Sequence, residues 1–151
     1  MDSPFHEIIN FLYLGNAQSV KARKFNMIVN CTKEDEIAFP TYYEPLCMRL
    51  SIRDDPAEAN SLVQQINDSH VLEQIDFYLK NKQSVLVHCF MGMQRSCAVV
   101  ACYLVRYYNS TPAQAIAYIK SKRPIAFLGN VNLLAAIENY YNHYVKPITL
   151  A

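Results

Sequence analysis

The chain has 151 residues, 52% of them hydrophobic, and a formal net charge of +1. This is enough apolar material for one compact domain over residues 1–151 with a sizeable core, and too little for two. The balanced charge excludes a broad electrostatic surface for nucleic acid or anionic lipid, so any recognition of phosphate has to be local. Met1-Asp2-Ser3-Pro4 has neither a basic nor an apolar run, and the longest wholly apolar run, Ala98 to Val105, is too short to span a bilayer. The expectation is a soluble, cytoplasmic protein. Five cysteines, an odd number at irregular spacing with no C-x-x-C pair, predict reduced core thiols rather than a disulfide scaffold or a metal site.

In chain order, Glu7 to Asn16 holds two short apolar pieces around Asn10 and closes on Gly15-Asn16, which predicts an edge hairpin. Ala17 to Phe25 carries a short helical pattern, and Met27 to Cys31 is an apolar strand. Thr32 to Pro45 is polar and broken by prolines, so it is read as loop. Leu46 to Ile52 alternates as a strand does and delivers Arg53-Asp54-Asp55-Pro56 at its end. Leu62 to Leu79 has helical spacing, as one helix or two broken around Asn67 to Ser69. Val85 to His88 reads as the central strand, and Arg95 to Tyr108 as a helix apolar nearly all round, hence deeply buried. Thr111-Pro112-Ala113-Gln114 combines an N-cap, a proline at the first helical position and a glutamine three residues on, a strong start for a helix running to Lys122. A last helix is expected to be capped at Asn130. Strands interleaved with helices imply an α/β fold.

The chemistry concentrates in Ser84 to Val100. A β-branched run ends in His88-Cys89, five residues follow with Gly92 at their middle, and Arg95-Ser96 then opens the apolar helix. Such a strand-turn-helix points the amides of Phe90, Met91, Gly92, Met93 and Gln94 into one concavity faced by the positive end of the helix. Gly92 supplies the tight bend. Cys89 lies at the floor of this anion cradle, where donors and dipole favour the nucleophilic thiolate. Arg95 offers a planar fork that fits two oxygens of a phosphoryl group, and Ser96 can hydrogen-bond the sulfur and help it leave.

His88-Cys89-x-x-Gly92-x-x-Arg95-Ser96 resembles the signature of the cysteine-dependent protein phosphatases, and the short chain resembles their compact dual-specificity branch. Leu12-Tyr13-Leu14-Gly15-Asn16, Val29-Asn30-Cys31-Thr32, Ile52-Arg53-Asp54-Asp55 and Arg123-Pro124 fall in that family's order. Ala126-Phe127-Leu128-Gly129-Asn130 looks closest to poxvirus-type members. The resemblance implies a mixed, mostly parallel sheet of about five strands flanked by five or six helices. It implies that Cys89 attacks phosphorus, that Arg95 binds the equatorial oxygens, and that an aspartate on a separate loop protonates the leaving alkoxide. Family register places that acid at Asp54, although alternation alone cannot separate it from Asp55. No cofactor or metal is called for. His88 and Asn130 are read as supporting residues, and Cys31 as a redox partner for Cys89, as in related phosphoinositide phosphatases.

Three departures stand out: Met91 and Gln94 where small residues are usual, Cys97 where alanine or glycine is common, and the missing Pro-Asn before the last helix, of which only Asn130 matches. The bulkier Met91 and Gln94 are expected at the pocket rim. Cys47, Cys97 and Cys102 are read as core, and His6, His70 and His143 as surface or helix-end residues. The expected partners are phosphoproteins, with no nucleic acid and no membrane. The rivals are an RNA 5′-phosphatase or phosphoinositide phosphatase, which needs Lys33, Arg49, Arg53, Lys122 and Arg123 to converge, and a phosphate-reading pseudoenzyme.

Overall fold

The computed structural model describes residues 3–145. Its strands are β1 (Phe5–Ile9), β2 (Leu12–Gly15), β3 (Met27–Asn30), β4 (Leu46–Arg49) and β5 (Val85–His88). Its α-helices are α1 (Ser19–Ala22), α2 (Ala59–Ser69), α3 (Val71–Lys80), α4 (Arg95–Tyr107), α5 (Pro112–Lys122) and α6 (Leu134–Tyr140). The strands form one sheet in the order β1-β2-β5-β3-β4, with only the β1–β2 hairpin antiparallel. This is the mixed, mostly parallel sheet flanked by five or six helices that the resemblance implies.

Parallel strands need both faces covered, and β5 shows it, since all of Val85, Leu86, Val87 and His88 are buried. Val85 and Val87 join the main core with α2 to α6. Leu86 points the other way, to a smaller cluster with Ile28, Val20 and Phe25. Helix α4 is the spine of the larger layer, with every residue from Arg95 to Val105 buried. Tyr103 on that helix stacks on Tyr107 with ring centroids 4.9 Å apart. Helix α5 starts on the full capping box between Thr111 and Gln114, with Pro112 in its first turn.

Four parallel strands end on the same side of the sheet, at Gly15, Asn30, Arg49 and His88. The segments that follow them therefore meet at one edge, where ligands of α/β sheets collect.

Several expectations are corrected. The α2–α3 break falls at His70, whose φ of 56° ends one helix in the left-handed region, one residue beyond the expected Asn67 to Ser69. Helix α6 starts at Leu134 behind Leu133 without a side-chain cap, so Asn130 does not cap it. It ends in a wider π turn over Tyr141–Val145. Cys47 is exposed rather than core, because β4 is an edge strand that presents its first residues to solvent. Among the described residues, no helix is long and apolar enough to cross a membrane.

Candidate active site

The loop between β5 and α4 is shaped from outside. The Phe90 carbonyl accepts from Ala17 N at 3.0 Å and the Met93 carbonyl from Phe127 N at 2.7 Å. The carbonyls of Met91 and Gly92 accept from Nη2 and Nε of Arg123 at 3.3 and 2.8 Å. A planar trans peptide sends its N–H opposite its carbonyl. Four carbonyls held on the outside therefore turn the N–H groups of Met91, Gly92, Met93 and Gln94 toward the inside. Gly92 has φ of 68°, and a Cβ there would lie 2.6 Å from Gly15 backbone atoms and 2.7 Å from Arg123 Nη2. Only glycine fits both the angle and the space. The fully buried Arg123 is thus part of the scaffold behind the cradle.

Cys89 is 2% exposed at the floor, with its Sγ 3.1 Å from Ser96 Oγ. Arg95 donates through Nη1 and Nη2 to the two carboxylate oxygens of Glu36, at 2.9 and 3.2 Å, and through Nη1 to the Ile52 carbonyl at 3.0 Å. Those contacts occupy both Nη1 protons and one on Nη2. The remaining Nε–Nη2 edge has no acceptor among the described residues, and it is the two-donor edge that matches a phosphoryl group. The pairing holds the Glu36 carboxyl below the usual carboxylate range.

Glu36 was not singled out in the sequence, where it is one of four consecutive charged residues from Lys33 to Glu36. Its loop is pinned by Arg49, which donates to the carbonyls of Thr32, Lys33 and Ile37 at 2.9, 2.9 and 3.0 Å.

Strand β4 ends at Arg49, short of the expected Ile52, so Asp54 and Asp55 lie beyond it and part by their contacts rather than by strand alternation. The Asp55 carboxylate accepts from Ala57 N at 2.9 Å and caps the turn Pro56–Glu58. Asp54 lines the same cavity of about 540 Å³ as Cys89, Arg95, Gln94, Phe90 and Met91. Met91 stands at the rim as expected, 56% exposed. Gln94 does not: it is buried, and it binds the main chain of the segment that carries Asn130 and Asn132. Asn130 reaches the site only through its carbonyl and through Asn132.

Nδ1 of His88 lies 3.3 Å from the Cys89 carbonyl, so Nδ1 carries the proton, while its buried Nε2 has no partner among the described residues. Burial lowers its pKa from 6.5 to about 4. The ring is neutral at neutral pH and supports the loop rather than carrying protons. Unfolded His88 takes up a proton as pH falls below 6.5, which folded His88 resists until about 4. The contribution of this group to stability should therefore be fully present above pH 6.5 and be lost as pH falls toward 4, by on the order of 3 kcal/mol. Urea unfolding of wild type and His88→Asn at pH 7.5 and 4.5 should show that part of the acid-side loss missing from the variant; equal losses refute it.

Cys31 follows β3 beside the β5 end that carries Cys89, with its N–H donating to the His88 carbonyl at 2.8 Å. Its thiol is pushed up by burial and then by Cys89. Cys97 is core as expected, with Sγ 3.5 Å from the Gly92 carbonyl. The five cations needed for a polyanion do not all converge. Arg49 is spent on loop carbonyls and Arg123 lies behind the cradle. Lys33 and Arg53 do share a surface depression with Arg95, but Glu34, Asp35, Glu36 and Asp54 line it too and outnumber them. No group of three metal-ligating side chains occurs among the described residues.

A lone thiol at the bottom of an inward-facing amide loop, at the carboxyl end of a parallel strand, defines the class of cysteine-dependent phosphatases. The chain belongs to the dual specificity phosphatase catalytic-domain family, whose model matches residues 12–143. It is 32% identical over 146 residues to the protein phosphatase Slingshot homolog of Xenopus laevis, covering 93% of this chain but 20% of that protein's length. It is 30% identical over 142 residues to the protein named "Putative tyrosine phosphatase 123R" of Invertebrate iridescent virus 6, covering 90% of this chain and 93% of that protein. The crystal structure of human DUSP28 superposes with a TM-score of 0.81 at 24% identity, over 94% of this chain and 95% of that one, which shows a shared fold.

Proposed function

We propose that residues 1–151 form one cytoplasmic phosphatase domain that hydrolyses phosphotyrosine, phosphoserine and phosphothreonine monoesters in proteins through a phosphocysteine intermediate. The observation that carries this reading is the inward amide loop with Cys89 at its floor, faced by the open edge of Arg95 and by Asp54 in one cavity.

The phosphoryl oxygens take the four loop amides and the Nε–Nη2 edge of Arg95. Cys89 Sγ attacks phosphorus, the S–P bond forms and the P–O bond to the leaving oxygen breaks. Asp54 gives that oxygen its proton, because an alkoxide is a poor leaving group. In the second step the Asp54 carboxylate takes a proton from water, the water oxygen attacks phosphorus, and the thiolate departs. Ser96 Oγ, 3.1 Å from the sulfur, donates to it and stabilises the departing charge. Glu36 keeps the guanidinium in the plane that phosphate needs. Cys31 serves as a guard in this reading: after peroxide converts Cys89 to the sulfenic acid, the Cys31 thiol displaces water and closes a disulfide.

An activity panel over phosphotyrosyl, phosphoseryl and phosphothreonyl peptides, triphosphorylated RNA ends and inositol lipid phosphates tests the substrate class. Turnover of the peptides should exceed that of the other two. A preference for RNA ends or lipids would transfer the chain to the rival class, and no turnover of any would make it a phosphate-reading module.

A further inference from the structure

The segment between Arg123 and α6 is tied to the catalytic loop at two residues, by the main chain at Met93, whose carbonyl accepts from Phe127 N, and by a side chain at Gln94. Its side chain is 7% exposed. Nε2 donates to the Asn130 carbonyl at 2.6 Å, and Oε1 accepts from Asn132 N at 3.0 Å. A carbonyl can only accept and an N–H only donate, so the orientation of the Gln94 amide is forced by its two partners. The segment is thereby held as a strap against the residue that precedes Arg95.

The strap delivers a side chain to the acid. Asn132 Nδ2 donates to Asp54 Oδ1 at 3.0 Å, while its Oδ1 accepts from Asn130 Nδ2 at 3.0 Å, which again fixes which end of the amide faces which partner. Asn132 lines the cavity beside Asp54, Cys89 and Arg95. An amide NH2 cannot accept a proton. Oδ1 of Asp54 must therefore be the accepting oxygen, and the transferable proton belongs on Oδ2.

We propose that Asn132 is the positioning residue for the general acid, and that Gln94, through the strap, sets the place of Asp54 relative to Cys89 and Arg95. The large residue at position 94 is then a structural link between the phosphate-binding loop and the proton donor. The loop and the acid lie 40 residues apart in sequence, Asp54 to Gln94, and on separate segments; the strap couples their geometry with three hydrogen bonds. The inference rests on Asp54 as the acid.

The test compares phenyl phosphate, whose leaving group needs a proton, with 4-nitrophenyl phosphate, whose leaving group does not. In Asn132→Ala, kcat on phenyl phosphate should fall about tenfold, the worth of one hydrogen bond, with KM unchanged and 4-nitrophenyl phosphate turnover kept. In an Asp54→Asn background the same substitution should cost nothing further. Gln94→Met, which keeps the volume and removes both bonds to the strap, should give the same leaving-group-dependent loss. Thermal melts check that each variant is folded. An equal loss on both substrates, no loss, or a full loss persisting in the Asp54→Asn background overturns the proposal while leaving Asp54 as the acid. Asp54→Asn that by itself shows no leaving-group-dependent loss overturns the acid assignment instead, and this inference with it.

Discussion

Cys89→Ser removes turnover of every phosphomonoester, by on the order of 10⁴-fold or more, and leaves the fold in place. The fold should survive because serine has nearly the volume of cysteine and the site already accommodates a hydroxyl, with Ser96 Oγ 3.1 Å away to pair with it. The carbonyls that shape the loop are held by Ala17, Arg123 and Phe127, none of which touches the sulfur. The inward N–H groups and the open edge of Arg95 therefore remain, and the variant should bind phosphotyrosyl peptide without consuming it. The activity is lost because a hydroxyl at neutral pH is not an anion and is a far poorer leaving group in the second step. Calorimetry with a phosphotyrosyl peptide checks binding, and 4-nitrophenyl phosphate hydrolysis checks turnover. Retained hydrolysis would place the nucleophile elsewhere. Lost binding together with a lowered melting temperature would mean that the sulfur holds the loop together.

What could be read from the sequence was what contiguous residues decide. The β-branched run into His88-Cys89, the glycine at 92 and the capping box at Thr111 act within a few residues, and each is found where the sequence put it. Cys89, Arg95, Ser96 and the loop amides were legible for the same reason. Glu36 was not, because its partner Arg95 is 59 residues away and three neighbouring charges are as plausible from composition. Asn130 failed as a cap because α6 begins only at Leu134, with Leu133 in the cap position, while the carbonyl and side chain of Asn130 are engaged by Gln94, 36 residues earlier, and by Asn132. Cys47 failed as core because the strand order, which no local signal states, leaves β4 at the edge. Position 94 departs from the family pattern, yet its consequence lies in a segment that only the fold brings near.

Asp54→Asn should lower kcat on phenyl phosphate by about 10² to 10⁴, the usual contribution of general acid catalysis, and lower it far less on 4-nitrophenyl phosphate. Two adjacent carboxylates compete for this role in the sequence, and their contacts divide them. The Asp55 carboxylate is engaged with Ala57 N, where it satisfies a free donor at the start of the turn into α2, and a group so bound cannot swing to a leaving oxygen without uncapping that turn. Asp55→Ala should accordingly keep kcat on both substrates and cost about 1 kcal/mol of stability, the value of an N-cap. Asp54 faces the cavity and has one oxygen held by Asn132, which leaves the other for the substrate. The variants therefore separate by observable, with the effect of Asp54→Asn in leaving-group dependence and that of Asp55→Ala in urea midpoint. If Asp55→Asn, which can still cap, shows the leaving-group-dependent loss, then the cap opens during turnover and the neighbouring carboxylate is the acid.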